Sequence, residues 1–101
     1  MSAELQEVAV RQFEIGKKYY RIARAVWHPK DGEYEWESDD IEYESEESAR
    51  TALSNIEIDA DTVQCDLMEY EYNRYGLTRN ERRLLIKDGS GTYDESGTYV
   101  D

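Results

Sequence analysis

The chain has 101 residues, with 24 acids against 12 bases and a formal net charge of −12. That length holds one domain with one modest core. The charge excludes non-specific attraction to nucleic acid or to an anionic membrane surface, and points to a basic partner or an unusual solvent.

Ser2 to Ile15 fits two periods: Leu5, Ala9 and Phe13 follow helical spacing, while Val8 and Val10 alternate as in a strand. A short helix ended by Gly16 is the preferred expectation. Lys18 to Trp27 reads as a strand with Tyr20, Ile22 and Val26 on one face and Tyr19, Ala23, Ala25 and Trp27 on the other. His28-Pro29-Lys30-Asp31-Gly32 carries hairpin punctuation. Glu33 to Ser38 returns as a second strand, and Asp39-Asp40 bulges or turns before Ile41 to Tyr43 extends it. Trp36 is expected to face the core.

Ser45 is a good N-cap, with Glu46 and Glu47 in the first turn where the helix dipole favours negative charge. Ala49, Ala52, Leu53 and Ile56 give that helix, over about residues 46 to 55, an apolar stripe. Thr62 to Asn73 reads as a long strand with Val63, Cys65 and Leu67 on one face and Met68, Tyr70 and Tyr72 on the other. Tyr75-Gly76 is a turn, and Arg82 to Lys87 a last strand. The predicted order is α-β-β-α-β-β. It implies an α+β fold: an antiparallel sheet of four to five strands with one main helix packed on one face. Residues 1–88 form this single domain. Residues 89–101 repeat Ser-Gly-Thr-Tyr twice, and their Gly and Ser content predicts a flexible tail.

Nine tyrosines and two tryptophans supply apolar payload that disordered chains of similar charge lack. Cys65 is the only cysteine, so no intrachain disulfide forms and a reducing setting is the default. No basic leader precedes an apolar stretch and no window approaches a membrane span. A soluble cytoplasmic protein is expected.

The charge is uneven. Residues 1–30 balance at +3, residues 31–71 at −15, and residues 72–101 at zero. Between Lys30 and Arg50 lie ten acids and no base: Asp31, Glu33, Glu35, Glu37, Asp39, Asp40, Glu42, Glu44, Glu46 and Glu47. In a strand, Glu33, Glu35 and Glu37 share one face at about 6.6 Å spacing, where neighbours repel by about 0.6 kcal/mol in water. A fold gains nothing from such a row.

Catalytic signatures are weak. His28, the only histidine, sits beside Pro29 in an expected exposed turn, without a serine or cysteine motif to serve as general base. Cys65 lies in the most acidic part of the chain, where its thiol pKa is raised, and reads as a small buried hydrophobe. Asp59 and Asp61 have the first spacing of a calcium loop, but Val63 fills the next ligand position and the glycine is missing. Asp88-Gly89-Ser90-Gly91-Thr92 lacks the terminal bidentate acid. No phosphate loop, CxxC pair or dinucleotide fingerprint is present, so the expectation is a non-enzymatic chain with no cofactor and no dedicated metal.

Adaptation to high salt is one explanation of the acids, with four lysines against eight arginines in its favour. It is weakened by an excess of glutamate over aspartate and by chain ends that are not acidic. Mimicry of a nucleic-acid backbone is another. Basic grooves meet phosphates with Lys and Arg, and a strand of carboxylates offers those side chains a preformed anionic row, with Tyr34, Trp36, Tyr43, Tyr70 and Tyr72 as stacking surface. Glu69 and Glu71 add a second row if the strands are neighbours.

In size, charge pattern and middle segment the chain resembles the small acidic inhibitors that phages and mobile elements use against host defence, of anti-CRISPR and anti-restriction type. The resemblance implies a protein that occupies the basic groove of an RNA-guided nuclease in the host cytoplasm and excludes DNA, binding neither nucleic acid nor membrane itself. The expected contact residues are Glu33, Tyr34, Glu35, Glu37, Asp39, Asp40, Glu42, Glu44, Glu69 and Glu71. Alternatives are an accessory domain binding through its aromatic hairpin and a halophilic housekeeping domain.

Overall fold

The computed structural model describes residues 13–100. The predicted N-terminal helix therefore lies almost wholly outside the described residues. Its last three, Phe13 to Ile15, are not helical and lead into a turn at Gly16, whose φ of 84° favours glycine. Six strands and one helix follow: β1 (Tyr19–His28), β2 (Glu33–Ser38), α1 (Glu46–Ser54), β3 (Thr62–Tyr72), β4 (Thr78–Asp88), β5 (Gly91–Asp94) and β6 (Tyr99–Val100). All pairings are antiparallel, in the order β2-β1-β3-β4-β5-β6. The α+β class agrees with the sequence reading, whereas the sheet has six strands rather than four or five.

Alternation along β1 and β3 divides the sheet into a covered and an open face. Ile22 pairs with Leu67, and Leu67 with Leu85, so these side chains stand on one face. There they meet Ala49 and Leu53 of α1 in a core completed by Tyr20, Cys65 and Leu84. Ile22, Ala49, Cys65 and Leu67 are fully buried, and each large aliphatic side chain so placed contributes about 1.5–3 kcal/mol. Leu84 and Leu85 are consecutive yet both buried, which strict alternation forbids. A bulge resolves this: Leu67 faces Leu85 and Met68 faces Arg83, leaving Leu84 as the extra residue. β4 also starts four residues before the predicted Arg82, with Asn80 taking a positive φ of 53° at a second irregularity.

The helix is held at both ends. Ser45 Oγ accepts the Ser48 N–H at 3.1 Å, satisfying an amide that has no partner within the helix. The last turn of α1 contains no base of its own. Lys87 of β4 supplies one instead, its Nζ donating to the carbonyls of Leu53 (2.9 Å), Ser54 (3.1 Å) and Ile56.

The predicted flexible tail is instead the far edge of the sheet. Its repeat encodes two similar turns, each led by an aspartate. Asp88 Oδ1 accepts from the N–H and hydroxyl of Ser90, and Asp94 Oδ1 from those of Ser96 and from the Thr98 N–H. The residues after these turns pair across β5 and β6, Thr92 with Val100 and Tyr93 with Tyr99. The tyrosine rings meet edge to face at 5.7 Å. Gly and Ser serve turn geometry here.

Candidate acidic interface on the first hairpin

β2 forms one edge of the sheet. Its register on β1 sets Glu33 opposite His28, Glu35 opposite Val26 and Glu37 opposite Arg24. The three glutamates therefore share the face that carries α1, while Tyr34, Trp36 and Ser38 project to the other. All six residues of β2 are exposed. Trp36 is 55% exposed and Tyr34 51%, so the expectation that Trp36 faces the core is overturned. The reason is position: helix α1 lies on the opposite face, and no described element covers the face that Trp36 occupies. Tyr34 finds one neighbour there, the Trp27 ring at 4.8 Å.

His28 belongs to this row. It ends β1 rather than standing in an exposed turn, and its Nε2 lies 3.1 Å from Glu37 Oε1 and 3.5 Å from Glu35 Oε2. Asp31 joins them. The imidazole and the carboxylates of Asp31 and Glu35 bring three donor atoms within 4.8 Å of one another, a set whose chemistry suits a divalent cation with water completing its shell. Strand alternation across the hairpin was the available signal for His28, since it places residue 28 on the face of 33, 35 and 37.

Past Ser38 the acids part company. The Asp39 N–H still donates to Ile22 O at 2.9 Å, but its carboxylate turns back to Arg24 in a bidentate contact of 2.8 and 3.1 Å. Asp40 is exposed. Tyr43 rejoins β1 through a reciprocal backbone pair with Tyr20, the extent to which Ile41 to Tyr43 extends the strand. Glu42, expected among the contact residues, does not stand on the exposed row: its side chain is 3% exposed. It accepts hydrogen bonds from the hydroxyls of Tyr70 (2.5 Å) and Tyr72, with Arg21 at 3.7 Å. Burial, then the bond to Glu42, pushes the Tyr70 hydroxyl pKa far above the ordinary tyrosine value. Glu44 stays exposed and pairs with Lys17 at 2.8 Å. Beside it, Glu46 and Glu47 open the helix, Glu46 pairing with Arg50.

Glu69 and Glu71 form no second row. β3 is separated from β2 by β1, and both residues are buried. Arg82 reaches Glu69 at 3.2 Å, while Lys18, Arg79 and Asn80 hold Glu71 at 2.9 to 3.0 Å. These donors hold the Glu71 carboxyl below its ordinary pKa. Aromatic placement follows the same division. Tyr72 packs with Tyr70, Tyr19 and Phe13, leaving Tyr34 and Trp36 as the exposed rings beside the row.

Cys65 is fully buried, and burial raises its thiol pKa. On the open face, Arg21, Ser38, Met68, Tyr70, Tyr72 and Glu81 line a cavity of about 190 Å³. No helix among the described residues is long and apolar enough to cross a membrane. The surface thus defined is an acidic sheet edge with an aromatic reverse side. No protein-family model, curated protein or solved structure matches the chain.

Proposed function

We propose that this chain is a non-enzymatic inhibitor that binds the basic nucleic-acid groove of a host defence nuclease, an RNA-guided effector being the class that best fits. The observation that carries the reading is the set of Glu33, Glu35 and Glu37, exposed together on one face of an edge strand. The spacing of about 6.6 Å along that face suits successive Lys or Arg side chains that would otherwise meet phosphates. Asp31, Asp40 and Glu47 extend the negative field around it. Lys18, Arg79, Arg82 and Arg83 engage Glu71, Glu69 and Asp66 on β3, and Arg24 engages Asp39, so none of these five bases forms an ion pair with Glu33, Glu35 or Glu37.

The interaction competes with DNA and weakens steeply as salt rises, because exposed charges are screened beyond about 8 Å at physiological ionic strength. Replacing Glu33, Glu35 and Glu37 by Lys abolishes inhibition of DNA cleavage while leaving the circular-dichroism spectrum and unfolding cooperativity unchanged. Full inhibition by this variant would overturn the reading.

The exposure of Tyr34 and Trp36 favours a second reading, an accessory domain that docks through its aromatic hairpin. Binding then survives 0.5 M salt and is lost when Trp36 is truncated to Ala.

A further inference from the structure

We infer that β2 is a docking edge: an extended basic segment of the partner adds beside it as a further strand. Its alternate Lys or Arg side chains then lie over Glu33, Glu35 and Glu37, and the intervening apolar ones over Tyr34 and Trp36. This deepens the acidic-interface reading and rests on it.

Backbone directions supply the first reason. The Trp27 N–H donates to Asp61 O at 2.7 Å, away from β2, whereas Tyr20 and Ile22 bond toward the β2 side, to Tyr43 and Asp39. Peptide groups alternate along a strand, so Arg24 and Val26 also turn toward β2. Their partners Glu37 and Glu35 turn inward to meet them. The N–H and C=O groups of Tyr34 and Trp36 consequently point outward, and no strand among the described residues pairs with them.

Charge decides what fits. Edge strands are normally blunted by charge that prevents self-association, and antiparallel pairing of two β2 strands about Glu35 sets Glu35 against Glu35 and Glu33 against Glu37. Like charges directly opposite are destabilising, so a second copy is disfavoured. A basic strand reverses the sign of each of those pairs. The opposite side of β2 is not blunted at all: Tyr34 and Trp36 are more than half exposed, with the edge positions around them open to an apolar or arginine side chain. Main-chain bonds supply affinity in such strand addition, and alternate side chains supply specificity.

The test uses two end-blocked heptapeptides of equal composition, Arg-Val-Arg-Val-Arg-Val-Arg and a block-order peptide of four Arg followed by three Val. Both are titrated into the protein while NMR follows exchange of the Tyr34 and Trp36 amides. The inference expects the alternating peptide to bind at least tenfold more tightly and to slow exchange of both amides at least tenfold. N-methylation on the bonding edge of that peptide should remove both effects. Equal affinities with unchanged exchange overturn the docking edge while leaving a purely electrostatic row standing. Absence of binding, or amides already slow in the protein alone, overturns the docking edge as well. Binding that persists undiminished in the E33Q/E35Q/E37Q variant overturns the acidic row and the edge together.

Discussion

At the scale of single residues, the fate of each acid depends on which face it meets. Glu42 illustrates this: it belongs to the same run as Glu37 and Glu44, yet it is enclosed by two tyrosine hydroxyls and an arginine. A carboxylate so placed is compensated, and removing it leaves the guanidinium and both hydroxyls to find other partners. Glu42→Ala should therefore cost about 3–5 kcal/mol in urea unfolding, whereas an exposed neighbour such as Asp40→Ala should change stability by less than about 0.5 kcal/mol. Tyr70 adds a pH signature. Its folded pKa lies above the unfolded value, so its contribution is intact below about pH 10 and is lost as rising pH ionises the unfolded chain first. Urea midpoints measured from pH 8 to pH 11 should fall above pH 10, and Tyr70→Phe should flatten that fall.

At the scale of elements, the C-terminal meander depends on close contact between a turn and a ring. Gly91 has a φ of 142°, and a Cβ added there collides with Cε1 of Tyr99. Gly91→Ala should therefore push the exposed Tyr99 ring aside and, through the strained φ, loosen the β5–β6 pairing and destabilise the domain by about 1–3 kcal/mol. Hydrogen exchange at Thr92 and Val100 reads this directly, and unaltered protection at both positions would contradict it. The covered face tolerates less disturbance. Core side chains from β1, β3 and β4 converge there on α1, and Lys87 joins β4 to the end of the helix.

At the scale of the whole molecule, the fold is a sheet layer with one helix, 47 × 34 × 21 Å in extent. No helix among the described residues lies on the face opposite α1, where Tyr19 and Tyr70 are nevertheless buried while Tyr34 and Trp36 are exposed. Internal ion pairs gather along β3 and β4, while Glu33, Glu35 and Glu37 stand exposed together on the β2 edge. The row should thus weaken the fold in dilute salt. E33Q/E35Q/E37Q should raise stability at 20 mM NaCl by up to about 1 kcal/mol, with the difference vanishing at 1 M, where charges beyond about 3 Å are screened. A salt-independent difference would mean that packing, not repulsion, separates the two proteins.

Local chemistry made much of the architecture readable. β1, β2, α1 and β3 follow from period-two alternation, Asp-Gly punctuation and the Ser45 cap, and Glu33, Glu35 and Glu37 share a face because alternation requires it. Other features depend on contacts between segments far apart in sequence. Trp36 reads as a core residue until the position of α1 shows which face is covered. Glu42, Glu69 and Glu71 read as surface acids until Tyr70, Tyr72 and the basic side chains of β1 and β4 are brought beside them. The adjacent buried leucines of β4 require a bulge set by its partner strand, and the Gly/Ser repeat becomes a meander because β4 offers an edge on which to pair. The sequence alone determined where charge concentrates and which segments alternate, because both are properties of neighbouring residues. Tertiary structure decided which charges remain exposed, because compensation requires partners from distant strands.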